Sequence, residues 1–567
     1  MSFRSPVSDF QFILQNVVGF REVSDTERFA DATPDLVDAI LREGAKLCDD
    51  ALAPLNAVGD SHPARLENGI VRMPPGFDEG FRKIAEGGWI GLTADPVHGG
   101  MGLPTTLGSA INEMMAGACL ALQLCPLLAQ GQIEALEAHG SDEIKAVYLP
   151  KLISGEWAGT MNLTEPQAGS DVGALRTQAV PKGDGTYAVT GQKIFISWGD
   201  AEFMANVSHL VLARLPDAAP GTKGISLFLV PKFLPDAQGQ PDERNSLHVV
   251  SLEHKLGIHG SPTAVMEYVG ATGWLVGQEH GGMAAIFTMM NNARLGVGIQ
   301  GIGVAEAACQ KALAFARERR QGKAGGSGTI IEHADVRRML ILMKAEIFAA
   351  RAIALACAVA IDLSRADAGP AWKARAALLT PIAKAFGTDT GVAVASEAMQ
   401  VHGGMGYIEE TGAAQYLRDA RITTIYEGTN GIQAMDFVGR KMMDDGEALY
   451  RLLDEVKESS RQARPRIPTL AEAVGNAAES VRETAKWLIG QDASCRFAVA
   501  VPFLRATARV LGAHYHLKAA LAEPGSARTA LARFYVRRLL PEHAALLAQT
   551  RQGGEGLFDL SPEDLAS

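Results

Sequence analysis

Two short segments carry residue types whose spacing could support chemistry. In Met161-Asn-Leu-Thr-Glu-Pro-Gln-Ala-Gly-Ser-Asp171, Thr164 and Ser170 supply hydroxyls, and the Gly-Ser-Asp turn leaves backbone N–H groups free. Bent Gly/Ser backbone forms concave nests that suit carbonyl or phosphate groups of a bound molecule. A capped turn with no ligand is the plainer reading. The second segment is Tyr426-Glu-Gly-Thr-Asn-Gly-Ile-Gln433, where Glu427 stands just ahead of a helical pattern. A glutamate there is ordinarily a solvated charge favoured by the helix dipole. Shortly upstream, however, Gln400-Val-His-Gly-Gly-Met-Gly-Tyr407 places a Gly-rich turn at the end of a long helix. Glycines at such a turn let another molecule approach the backbone closely.

The elements that must position these segments change texture three times along the chain. Residues 35–155 alternate helical patterns with Gly-rich breaks, notably the loop from Pro96 to Pro104. In LVDAILREGAKLCDDAL, Leu36, Ile40, Leu41, Ala45 and Leu47 fall near one helical face. From 160 to 275 Val, Ile, Phe and Thr gather between Gly, Pro and Asp turns, which predicts strands. There TYAVTGQKIFISW reads as two short strands around a turn at Gly191. Long helices return over Met283 to Arg320, Ile331 to Leu363 and Ala371 to Val401, with the Gly325–Gly328 link between the first two. Short connections between such helices predict an antiparallel bundle. After the break Arg464-Pro-Arg-Ile-Pro468, a further helical stripe is formed by Leu470, Val474, Ala477, Val481, Ala485 and Leu488. It predicts an appendage packed on the bundle.

The chain of 567 residues exceeds one ordinary core, so several domains are expected. Its 53 basic and 64 acidic residues give a net charge of −11, which argues against general nucleic-acid binding. Six scattered cysteines, with no CxxC pair and no His/Cys cluster, predict neither a disulfide framework nor a metal site. The N-terminus lacks the pattern of a signal peptide. The longest apolar run, Ala352 to Ile361, is too short to cross a bilayer. A cytoplasmic enzyme without a membrane span is expected.

Taken in order, these segments resemble the acyl-CoA dehydrogenase family. The likeness runs from PVHGGMGLP through YLPKLISGEWAGTMNLTEPQAGSDVGALRT, GQKIFISWG, HKLGIHGSPTA, ERRQGK and QVHGGMGY to LRDARITTIYEGTNGIQ, over residues 40–442. The extra C-terminal length resembles the large bacterial subgroup of methylthiopropanoyl-CoA and broad-range fatty acyl-CoA dehydrogenases. The resemblance implies an α+β, mostly α fold. It divides into an N-terminal helical domain (1–159), a middle β-barrel-like domain (160–278), a C-terminal four-helix bundle (279–445) and a further helical segment (446–567). FAD would lie between the middle and C-terminal domains and a partner subunit, in a homodimer.

The family removes hydrogen from Cα and Cβ of an acyl-CoA thioester and passes the electrons to an electron-transfer flavoprotein. Glu427 matches the family's catalytic base, and Ala293, at an alternative base position used by some members, cannot serve. Met161, Leu163, Thr164, Ser170, Phe195, Ile196 and Ser197 match contacts to FAD, as do Arg319, Gln400, Gly403, Gly404 and Thr429. Ser170, Asn291, Arg294, Tyr426 and Gly428 match substrate contacts. The sequence departs from the family in three places: Phe195-Ile-Ser197 stands for the usual Trp-Ile-Thr, Arg320-Gln-Gly-Lys323 follows Arg319, and Gly431 replaces a glutamine. His402 reads as packing rather than acid–base. Alternatives on the same fold are an oxidase or monooxygenase using oxygen, or a non-enzymatic nucleic-acid-binding descendant.

Overall fold

A computed structural model describes residues 3–323 and 325–567. The chain forms two compact units, one built from Pro6–Asp38 and Val297–Ser567, the other from Ala39–Gly296.

The second of these contains the strands. A small hairpin pairs β1 (Arg65–Glu67) with β2 (Ile70–Arg72). The main sheet uses β3 (Trp157–Asn162), β4 (Gln178–Pro181), β5 (Tyr187–Ser197), β6 (Asn206–Arg214) and β7 (Ile225–Pro231). After the hairpin of β8 (Phe233–Pro235) and β9 (Pro241–Arg244), it adds β10 (Leu247–Leu252) and β11 (Thr263–Val276). β11 pairs with β5, β5 with β4, β4 with β6, β6 with β7, and β7 again with β11. That circuit closes the sheet into a barrel, which leaves these strands without a free edge. Inside lie Val189, Ile196, Val211, Phe228, Val230, Met266 and Tyr268.

The expected turn at Gly191 is not one. Tyr187–Ser197 is a single strand, and Gly191 lies within it at φ 153°, where a Cβ would come within 2.4 Å of Thr177 Oγ1. The glycine is there because a neighbouring side chain crosses its face. The predicted face of the first helical pattern also shifts. Pro34–Lys46 is helical and continues as a π-turn over Leu47–Leu52. Its buried residues are Val37, Leu41, Gly44 and Cys48, while Leu36 is exposed. Gly44 is what shifts the face, because a Cβ there would meet the Ile111 side chain at 2.4 Å. Thr105–His139 is a long buried helix interrupted by non-helical geometry at Cys119.

In the other unit, Gly282–Glu318 (of which residues from Val297 belong here), Ala334–Arg365 and Pro370–His402 are the three long helices. The shorter Ala413–Arg421 and Asn430–Asp436 pack on the last of them. A Cβ on Gly298 would lie 2.6 Å from Ala383 O, and one on Gly301 2.6 Å from Gly387 O. The first and third helices therefore cross backbone against backbone, as only small residues permit. The C-terminal helices pack on this bundle, as expected. Ala500–Ala522 is buried among them, with His516 Nε2 3.0 Å from Ala345 O and Arg509 bonded to both Glu346 oxygens. Each residue of the stripe from Leu470 to Leu488 is buried.

All six cysteines are free, and five are buried. Among the described residues no cluster of metal-ligating side chains occurs. Thr105–His139 and Ala334–Arg365 are long and apolar enough to cross a membrane, but 100% and 89% of their apolar windows are buried inside the protein.

Enlarging Gly301 should force the crossing helices apart. Gly301→Val is expected to cost about 1–3 kcal/mol by overpacking, read as a lower denaturant midpoint.

Candidate functional site

The candidate residues divide between the two units. In the barrel unit, β3 delivers Met161 into a strand pairing with Leu210, then gives way to the loop that carries Leu163, Thr164 and Ser170. Opposite this loop, β5 is bulged: Ala264 pairs with Ile196 and Met266 with Lys193, so Ile194 and Phe195 together face Val265. The bulge turns the Ile194 amide away from the sheet to donate to Thr164 O at 2.9 Å.

The same bulge holds Phe195 at φ 62° with its side chain 59% exposed. An aromatic residue with positive φ is an outlier, and such strain gathers at functional sites. Core packing cannot account for this ring. Ile196 points into the barrel core, and Ser197, half-buried, pairs with Thr263. Among the described residues, the hydroxyls of Thr164, Ser170 and Ser197 have no hydrogen-bond partner within the chain. The loop and bulge thus present unfilled hydroxyls beside an uncovered aromatic ring, which fits a flat heterocycle with carbonyl and phosphate groups such as FAD.

Glu165 and Lys193, absent from the expected set, hold this arrangement. Their side chains are 4% and 0% exposed and lie 2.8 Å apart. A lysine at an inward position of a strand was the available signal, since an unpaired ammonium is costly there. Asn291 and Arg294 also belong to this unit. Asn291 is exposed, whereas Arg294 is buried and sits 5.8 Å from the Phe287 ring centroid, so it is no solvated helix charge.

The other unit shapes the Glu427 turn. Glu427 has φ 57° and Gly428 φ 85°, two successive left-handed residues between Ile422–Thr424 and the helix Asn430–Asp436. Gln433 Nε2 donates to the Glu427 carbonyl at 3.2 Å and to that of Gly428 at 3.4 Å. Thr429 Oγ1 accepts from Ile432 N at 3.3 Å and caps the helix. Asn430 is held by Lys384 Nζ at 2.9 Å and donates to Asp389 at 2.7 Å. On the near side, the Tyr426 hydroxyl donates to Gln300 Oε1. Burial, with the Glu427 and Asp419 charges, pushes that phenol well above its usual range, so it remains a donor. Asn430 and Gln433 lie inside the quoted segment but no role was expected of them, and Lys384 and Gln300 lie outside every quoted motif.

At the end of Pro370–His402, Gln400, Gly403 and Gly404 are exposed, and nothing lies within 4 Å of a Cβ built on either glycine. His402 stacks on Phe315 with centroids 4.5 Å apart and ring planes 29° apart, and its Nδ1 lies 2.7 Å from Ala398 O. Burial lowers its pKa, in keeping with a packing role. This stack joins the helix end carrying Gln400 to the one that leads into Arg319, which is exposed.

Known proteins bear on this geometry throughout the chain. Models of the N-terminal, middle and C-terminal domains of acyl-CoA dehydrogenase match residues 41–156, 160–269 and 280–443, and an acetyl-CoA dehydrogenase C-terminal-like model matches 452–561. The chain is 42% identical to 3-methylmercaptopropionyl-CoA dehydrogenase of Ruegeria pomeroyi, over 99% of this chain and 100% of that protein. It is 36% identical to the broad-specificity linear acyl-CoA dehydrogenase FadE5 of Mycobacterium tuberculosis, over 80% and 78% of the two chains. The fold is similar to that of an acyl-CoA dehydrogenase from Bacillus anthracis solved with FAD, with a TM-score of 0.76, 19% identity, and coverage of 97% and 92%. With every domain model in order and a relative matched from end to end, the chain belongs to the acyl-CoA dehydrogenase family of FAD-dependent oxidoreductases.

Proposed function

We propose that the chain oxidises an acyl-CoA thioester to the trans-2-enoyl-CoA, with Glu427 removing the α-proton. The observation that carries this reading is the turn itself. A half-buried carboxylate sits on a strained, positive-φ residue whose neighbours are each fixed by a side chain from elsewhere in the unit. Strain of this kind persists only where the surroundings over-determine it.

An α-proton is a weak acid, so its removal needs a base held at fixed geometry and a donor for the developing enolate oxygen. Glu427 supplies the carboxylate. Its own backbone N–H is the proposed donor to the thioester carbonyl. Gly428 allows the backbone to turn there, because a Cβ would come within 2.7 Å of Gln433 Nε2. Tyr426, with its hydroxyl engaged by Gln300, contributes a fixed wall rather than a titrating group. Ala293 is buried and carries no acid, which leaves Glu427 as the base. Arg294, Asn291 and Ser170 are assigned to the CoA moiety.

FAD, when bound, accepts the β-hydrogen as hydride. Thr164, Ser170 and Ser197 would hold it by hydroxyls, Phe195 by its ring, and Met161, Leu163 and Ile196 by the backbone around them. Arg319, Gln400, Gly403, Gly404 and Thr429 would hold FAD from their own unit, in a homodimer. The reading extends to an electron-transfer flavoprotein as acceptor, a cytoplasmic location, and the four-part division at 1–159, 160–278, 279–445 and 446–567.

For the acyl group we favour a short chain of the methylthiopropanoyl or straight fatty type. Support comes from the end-to-end match to 3-methylmercaptopropionyl-CoA dehydrogenase and the partial match to a linear acyl-CoA dehydrogenase.

In an anaerobic titration, acyl-CoA should bleach the flavin absorbance of the purified protein. Glu427→Gln should slow that bleaching by about 10²- to 10⁴-fold while leaving the flavin bound. Unchanged kinetics in the variant would remove Glu427 as the base. Across a chain-length panel, methylthiopropanoyl-CoA or butyryl-CoA should give the highest kcat/KM, and a preference for palmitoyl-CoA would overturn the short-chain assignment.

A further inference from the structure

The loop that carries Thr164 and Ser170 closes on itself at the Glu165–Ala168 bridge, but its seat against β5 is set by other contacts. Three consecutive loop residues are tied to two consecutive residues of β5. Lys193 Nζ donates to Leu163 O at 3.0 Å and to Glu165 Oε1 at 2.8 Å, and the Ile194 amide donates to Thr164 O at 2.9 Å. Glu165 then gathers the far side of the loop. It accepts from Thr177 Oγ1 at 2.6 Å, from the amides of Thr177 and Arg176 at 3.0 and 2.7 Å, and from Gln167 Nε2 at 2.6 Å.

We infer that Lys193 and Glu165 form a buried ionic latch that fixes residues 163–170 against the bulged strand and so positions the Thr164 and Ser170 hydroxyls and the Phe195 ring for FAD. Both are positioning residues, and the inference rests on the cofactor reading of that loop.

The choice of charged groups is what makes the case. A buried ion pair is no more stabilising than an apolar pair of similar volume, but removing one partner leaves the other uncompensated. Such a pair therefore specifies a geometry more than it contributes net stability. Here the ammonium has its partners in one direction only, so the loop must come to it. Burial pushes the Glu165 carboxyl up, but the Lys193 charge and the donated hydrogen bonds outweigh it, leaving a value of about 2. Burial lowers Lys193 to about 8 against the pull of Glu165. The 2.8 Å contact and the further donors gathered on Glu165 suit an ion pair. Neither residue need touch the flavin for the latch to act.

The test uses the full-length chain as apoprotein and as FAD complex, with Lys193→Met, Glu165→Gln and the double variant. Each single variant should keep the wild-type circular dichroism yet weaken FAD binding about 10- to 100-fold, the loss of a charge-assisted hydrogen bond. In the apoprotein, each should open the segment to trypsin at Arg176. The double variant, a neutral pair, should recover more than half of the lost affinity on a logarithmic scale. The reduction potential of bound flavin should shift in the single variants and return toward wild type in the double, which a merely structural contact would not produce. If Lys193→Met fails to fold, Glu165→Gln and the double variant carry the same comparison. Wild-type affinity, potential and trypsin resistance in the single variants would overturn the latch while leaving the dehydrogenase reading intact. A wild-type chain that takes up no FAD would overturn the cofactor reading itself.

Discussion

Gly282–Glu318 crosses Pro370–His402 backbone against backbone at Gly298, Gly301, Gly387 and Gly391. A Cβ built on Gly387 would lie 2.5 Å from Gly298 O, and one on Gly391 2.8 Å from Gly301 O. The residues beside these glycines are the ones that reach the Glu427 turn. Gln300 precedes Gly301 and receives the Tyr426 hydroxyl, while Lys384 and Thr388 flank Gly387 and hold Asn430. Helix axes ordinarily stand 8–10 Å apart. The small-residue crossing brings Gln300 from one helix and Lys384 and Thr388 from the other to the residues on either side of Glu427.

A second theme is ionised groups placed out of water in matched sets. Glu306, 2% exposed on its side chain, lies between Lys344 and Arg351 at 3.0 Å from each. Burial alone would raise its carboxyl, but the two cations overcome that and hold it near 2. Arg351 also reaches Asp9 at 3.5 Å, and Asp9 bonds Arg528, so one carboxylate ties the first helix, Val7–Asn16, to the bundle and to the C-terminal segment. Arg509 does the same between Glu346 and Glu542. Each set is costly to form and costlier to break at one member. They fix which helix meets which, a task that the alanine-rich surfaces of these helices leave underdetermined.

The sequence disclosed what depends on local pattern. The helix–strand–helix texture and the stripe from Leu470 to Leu488 follow from periodicity and residue type, and each has its counterpart in the fold. What it concealed depends on contacts between distant residues. Gly191 reads as a turn because glycine in a β-pattern usually marks one; only the Thr177 side chain across its face makes it a strand residue. Leu36 lies off the buried face, and Gly44, silent in a hydrophobicity count, lies on it against the Ile111 side chain. Among the candidate residues, those within a recognisable motif were legible. Glu165, Lys193, Gln433 and Asn430 stand inside the same motifs but act by holding them in place, and that role shows only in contacts such as Lys193 with Glu165 and Lys384 with Asn430.

Each unit carries a strained non-glycine residue among its candidate site residues. Positive φ occurs at Phe195 in one and at Glu427 in the other, and both are non-glycine residues that would relax if their neighbours let them. Each is followed by a residue that cannot move: Ile196 is in the barrel core, and Gly428 is packed under Gln433. Each is also held by a backbone atom captured from outside its own turn: the Ile194 amide by Thr164, and the Glu427 carbonyl by Gln433. The exposed ring of Phe195 and the half-buried carboxylate of Glu427 are thereby carried on fixed backbone. In both, the backbone on either side is fixed by contacts from other residues.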